Sequence, residues 1–111
     1  MRLDELLRVV GVGFLILVAA PALAGSKHVA EAIFHAQAAV AQGQQGYSEA
    51  LVEHAKEALK HAELAKKETK SPHLEQAIRG LHGGITEADD GYLAEATAEI
   101  GGVIEDLSKV E

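Results

Sequence analysis

Apolar residues recur at helical spacing in four successive segments of the chain. The first runs from about His28 to Gln42 and carries Val29, Ala32, Ile33, Ala36 and Val40 on one face. The second, about Glu49 to Lys67, repeats the pattern with Leu51, Ala55, Ala58, Leu59 and Ala62. The third covers roughly Pro72 to Ala88 through Leu74, Ala77, Ile78, Leu81 and Ile85. The fourth, about Tyr92 to Lys109, uses Leu93, Ala96, Ile100, Val103, Ile104 and Leu107. Each pattern gives one core-facing stripe and one polar face, as a surface helix of a small bundle requires.

The residues between the segments support these limits. Ser26, Ser48 and Ser71 stand at N-cap positions, and Pro72 follows Ser71 as the first helical residue. Gly43 and Gly46 are placed to close the first helix, and Asp89-Asp90-Gly91 to close the third. Lys66, Lys67 and Lys70 suit the negative end of the second helix. Gly80, Gly83, Gly84, Gly101 and Gly102 each weaken a helix by up to about 1 kcal/mol relative to Ala, and are candidates for close helix contacts.

An offset of 45 residues maps the first helix pair onto the second. His28 falls on His73, Ala32-Ile33 on Ala77-Ile78, and Gly46-Tyr47 on Gly91-Tyr92. The register runs without gaps through both turns and reads as two copies of one helix–turn–helix unit. Short connections make successive helices antiparallel neighbours. The expected fold is therefore all-α, an antiparallel up-down four-helix bundle built from two related helical hairpins, residues 26–70 and 71–111.

Residues 1–24 stand apart from that pattern. Arg2 and Arg8 flank a short charged start, an apolar run follows from Val9 to Ala20, and Pro21 precedes Ala22-Leu23-Ala24. This is the layout of a secretory signal peptide, with cleavage expected after Ala24 and export to the periplasm or an equivalent compartment. The apolar run is short for a membrane span of roughly 20 residues, so no stable insertion is expected after cleavage.

Composition narrows the chemistry of the remaining domain, residues 25–111. It contains no Cys, and the chain's one Met is Met1. Disulfides, thiolate sites, iron–sulfur clusters and a His/Met haem are all excluded. The leader holds two acids and two bases, so the net charge of −7 belongs to the mature part. That balance disfavours nucleic acid and anionic membranes and favours cations.

The histidines carry the candidate chemistry. The first helix holds His28, Glu31 and His35, and the second holds His54, Glu57 and His61 at identical spacing. Histidines seven apart lie about 10.5 Å apart along an axis, too far to share one ion on their own. Each lies three or four residues from the intervening Glu, within reach of a pair along the helix. Shared sites need ligands from another helix. His28 and His61 are expected at one level across the turn, as are His35 and His54. Both stripes lie at the edge of the apolar face, so they either converge in the groove between the helices or diverge to opposite flanks, depending on the hand of the bundle. The second hairpin has Gly80, Glu99 and Asp106 in place of three of these histidines, and keeps His73. His82 lies off this register.

The leader, the paired hairpins, the Ala-rich faces and the heptad histidines together resemble the small metal-binding protein family. The segments His28-Val29-Ala30-Glu31-Ala32, Glu53-His54-Ala55-Lys56-Glu57 and Lys60-His61-Ala62 are similar to its repeat. The resemblance covers essentially the whole mature chain. It implies an exported four-helix bundle that takes up copper and other divalent ions, and it carries over to His28, His35, His54, His61 and His73. The chain departs from the pattern at Gln42, Tyr47, Gly80, Tyr92, Glu99 and Asp106, where histidines are expected. Those departures imply fewer or weaker sites, or a scaffold whose function has drifted.

The leading functional expectation is binding and buffering of divalent transition-metal ions, with Cu(II) favoured over nickel or zinc. The metal ligands expected are His28, Glu31, His35, His54, Glu57, His61 and His73. Binding is expected to weaken on acidification, because protons compete for imidazole. The alternative is a metal-independent helical interaction module of the cell envelope. An enzyme is not expected, since no activated nucleophile appears. The Glu-x-x-His pairs of di-iron bundles are also missing, with Ala32 and Leu51 at the positions where Glu would stand.

Overall fold

The computed structural model describes residues 27–111. The expected leader and its cleavage site, and the cap expected from Ser26, lie outside the described residues. Four helices follow one another: α1 Lys27–Gln44, α2 Ser48–Glu68, α3 Pro72–Asp89 and α4 Leu93–Ser108. No strand occurs among the described residues. Each helix packs against its neighbours in sequence, α1 also packs against α4, and the diagonal contact between α2 and α4 is slight. This closes a four-cornered, up-down bundle.

The two hairpin turns are built alike. Gly46 and Gly91 have φ of 89° and 92°, the left-handed region that glycine enters without steric cost. The Tyr47 and Tyr92 amides donate to Gln42 O and Glu87 O at 3.0 and 2.8 Å. The Gly46 and Gly91 amides donate to Gly43 O and Ala88 O at 3.0 and 3.1 Å. Both are Schellman closures, which satisfy carbonyls left free at a helix end. They also put Tyr47 and Tyr92, rather than a polar residue, at the N-caps of α2 and α4, where neither side chain makes a capping bond. Ser48 is consequently not the cap that its residue type suggests. It is the first residue of α2, and its hydroxyl instead reaches Ala88 O on α3 at 3.5 Å. Ser71 does cap α3: its Oγ accepts from the His73 and Leu74 amides at 3.1 and 3.4 Å, an arrangement worth about 1 kcal/mol.

The two hairpins fill the core differently. In α1 and α2 most of the fully buried positions are alanines: Ala32, Ala36 and Ala39 in α1, and Ala55, Ala58, Ala62 and Ala65 in α2. In α3 and α4 the large side chains Leu74, Leu81, Ile100, Val103 and Leu107 take over. Ile33, Val40, Leu59, Ile85, Leu93 and Ile104, all expected in the core, are only partly buried at its edge. Small residues let α1 and α2 approach closely, which brings the long side chains on their flanks within reach of one another. In the other hairpin, glycine provides the clearance. A Cβ on Gly84 would stand 2.7 Å from Ile100 Cγ1, and one on Gly80 2.6 Å from Val103 Cγ2. Gly101 and Gly102 face open space and mark no contact.

Charge is divided as unevenly as size. Residues 27–70 carry six acidic and six basic side chains, whereas residues 71–111 carry nine acidic and two basic. The entire net charge of −7 therefore sits on the second hairpin, and it crowds carboxylates together there. Burial, followed by the charges of Glu99 and Glu95 and a hydrogen bond with Glu99, raises the Glu87 carboxyl above its ordinary value of 4.5.

Candidate metal centre

The histidine stripes of α1 and α2 converge. His28 and His61 stack with ring centroids 5.6 Å apart, and His35 and His54 with centroids 5.8 Å apart. These are the two pairs expected at common levels. The ladder is also continuous, because His35 lies over His61 at 5.8 Å with an interplanar angle of 4°. The order along the groove is His28, His61, His35, His54, drawn alternately from the two helices. All four are half-buried. The hand of the bundle, which helical periodicity leaves open, decides this outcome.

Glutamates line the ladder mainly from across the groove. Glu31 Oε1 lies 3.2 Å from His61 Nε2, and Glu68 Oε2 lies 3.7 Å from His28 Nε2. Both contacts join α1 to α2, in place of the pairing of Glu31 with His28 or His35 along its own helix. Glu68 is an addition to the expected set. Its signal was present in the chain: it lies seven residues beyond His61 and continues the stripe His54, His61, Glu68.

One group of three among the described residues has the spacing of a metal site. A single ligand atom from each of His35, Glu57 and His61 falls within 4.8 Å of the others. Ligands of a tetrahedral ion, bound at about 2.0–2.2 Å, stand about 3.3 Å apart, so modest side-chain rotation closes the set. His35 has a second distinguishing feature. His35 Nδ1 is shielded from solvent and meets no hydrogen-bond partner. Leaving a buried polar nitrogen unpaired costs about 1–3 kcal/mol. Phe34 stands edge-on to His35 at 5.3 Å and 79°, although it is itself 64% exposed.

The remaining candidates stand apart from this group. His54 ends the ladder against His35. His73 is exposed at the start of α3, where its backbone amide serves the Ser71 cap. His82 is exposed as well. The position in the second hairpin that corresponds to the centre is an open groove of about 280 Å³ lined by Gly80, Glu99, Gly102 and Asp106 among others. The offset replaces His35 by Gly80 and Glu57 by Gly102, so the groove is wide where the first hairpin gathers ligands. A family model described as small metal-binding protein matches residues 4–110. The chain belongs to this family. No curated protein matches it. In this member of the small metal-binding proteins, the His35–Glu57–His61 group is one that can hold a metal ion. Among the described residues, no helix is long and apolar enough to cross a membrane.

Proposed function

We propose that this small metal-binding protein buffers divalent transition-metal ions in the periplasm or an equivalent exported compartment, with Cu(II) favoured and Ni(II) or Zn(II) accepted. The observation that carries this reading is the convergence of His35, His61 and Glu57 in the α1–α2 groove. Two imidazoles and a carboxylate, with no thiolate or thioether, suit borderline divalent ions, and copper stands highest in that affinity series. The groove lies at the surface and Glu57 is exposed, so water completes the coordination and an ion can leave without unfolding of the bundle. That suits reversible storage rather than a closed structural site. The apolar run at residues 9–20, within the expected leader of residues 1–24, supports an exported location. The proposed role is binding rather than turnover.

The test is calorimetric titration of the untagged mature protein with Cu(II), beside a variant in which His28, His35, His54 and His61 are all Ala. The variant is expected to lose tight binding while keeping its helical circular dichroism. Unchanged affinity in the folded variant would overturn the proposal.

A further inference from the structure

The four long faces of the bundle differ in charge. Glu31 and Glu68 lie along the α1–α2 face, Glu49, Glu53 and Asp89 line the hollow between α2 and α3, and Glu99 and Asp106 line the α3–α4 groove. The α1–α4 face has no such residues. From Ala32 to Ser48 the chain carries no formal charge, and helical spacing puts Thr97, Gly101 and Ile104 on the side of α4 away from Glu99 and Asp106. Ile33, Val40 and Ile104 are only partly buried at the edge of the core, and Phe34 stands out from α1 at 64% exposure.

Large and small residues on this face are spaced to fit a second copy of it. Phe34 and Ala41, both exposed, lie two turns apart on the outer line of α1. A two-fold axis that crosses α1 between residues 37 and 38 sets Phe34 of each copy over Ala41 of the other. Gly43 packs against Thr97, where a Cβ would overlap the hydroxyl, and this contact fixes the level of α4 beside α1. Because α1 and α4 are antiparallel, the same axis crosses α4 between residues 102 and 103. It sets Ile104 of each copy over Gly101 of the other, and Gly101 has open space where a Cβ would stand. One symmetry operation thus places a large side chain on a small one along both helices.

The charges favour the same orientation. The half of the bundle nearest the two turns, residues 36–57 and 81–100, carries eight acidic and one basic side chains, whereas the other half carries seven of each. An antiparallel pair sets the acidic half of each copy beside the lysine-bearing half of the other. A parallel pair would bring the two acidic halves together.

We propose that the α1–α4 face binds a second copy of this chain as an antiparallel, two-fold dimer. With 18 residues in α1 and 16 in α4, the face is about 25 Å long and two helices wide, roughly 500 Å² per copy. Two copies bury roughly 1,000 Å², the lower end for a specific interface, so the dimer is weak, with a Kd on the order of 10–100 μM. The histidine ladder lies on the α1–α2 face and stays open, so this dimer and the metal-binding reading stand or fall separately.

The experiment is sedimentation equilibrium of the untagged mature protein in EDTA, which removes ions able to bridge two copies. The wild type is expected to pass from monomer to dimer between about 1 μM and 1 mM. Phe34→Glu, at an exposed position, is expected to weaken the dimer by about tenfold or more with unchanged helical circular dichroism. Cysteine crosslinking reads the orientation. Gln37→Cys lies beside the axis and is expected to form an intermolecular disulfide, whereas the two copies of Gln44→Cys lie about 20 Å apart along the helices and are not. A wild type that stays monomeric at millimolar concentration leaves the face to another partner and overturns the proposal. A dimer unaffected by Phe34→Glu lies on another face and overturns it as well. A disulfide through Gln44→Cys in place of Gln37→Cys overturns the antiparallel arrangement.

Discussion

His35 and His61 lie with their rings parallel to within 4° and their centroids 5.8 Å apart, although they come from different helices and different levels of the hairpin. This contact turns two separate histidine pairs into one ladder, and it places His61 at the ladder's centre of chemistry. His61 touches His28 on one side and His35 on the other, and it lies beside both Glu31 and Glu57.

The position of His61 sets a hierarchy among the histidines. His61→Ala is expected to weaken divalent-ion binding by about a hundredfold or more, and His35→Ala by roughly tenfold. His73→Ala and His82→Ala are expected to change it by less than about twofold, since both side chains are exposed and belong to no group of ligands. Competition titration against a chromophoric chelator reads all four. Equal losses from His61→Ala and His73→Ala would contradict this arrangement.

The glycines in the second hairpin make opposite predictions about stability. Gly84→Ala forces a methyl to within 2.7 Å of Ile100 Cγ1 in a fully buried setting. Overpacking of that kind costs about 1–3 kcal/mol, against a gain in helix propensity of up to about 1 kcal/mol. The net expectation is a loss of about 1 kcal/mol, or roughly 4–8 °C in Tm for a domain of this size. Gly101→Ala meets nothing within 4 Å in the interior of α4 and is expected to add about 0.5–1 kcal/mol. Thermal melts of the two variants should move in opposite directions.

Glu87 is expected to make the bundle's stability depend on acid. The raised pKa of its carboxyl means that the folded chain binds this proton more tightly than the unfolded chain does. The favourable contribution of the protonated group is complete below the ordinary value of 4.5 and is lost as pH rises through the raised folded value. At neutral pH the ionised carboxylate, held beside Glu99 and Glu95, opposes folding. Glu87→Gln is therefore expected to raise Tm near neutral pH, with the advantage disappearing in acid below the ordinary carboxylate range. An advantage that is the same at both pH values would contradict the charge-based cause.

Much of this structure was legible in the chain. Amphipathic periodicity located all four helices to within a residue or two, because the Ala, Leu and Ile stripes are uninterrupted and Gly46, Gly91 and Ser71 act locally. Periodicity also put His28 level with His61 and His35 level with His54. It does not reveal on which side of a helix the next one packs, so convergence of the stripes had to come from the fold. The same gap hid the difference between Gly84, pressed against Ile100, and Gly101, facing solvent. Ser48 has the residue type of a cap, but the Schellman turn at Gly46 makes Tyr47 the N-cap and Ser48 the first helical residue. Glu68 continues the heptad stripe of His54 and His61, but it lies beyond the last histidine of α2 rather than between two of them, as Glu31 and Glu57 do.

The most direct test of the central claim is an anomalous difference map from crystals of the untagged mature protein grown with Zn(II), measured on both sides of the zinc absorption edge. A peak in the α1–α2 groove, about 2.0–2.2 Å from a nitrogen of His61 and from donors on His35 and Glu57 or on His28, is the predicted result. Zinc found only at His73 or His82, with the groove between His28 and His54 empty at saturating metal, would contradict it.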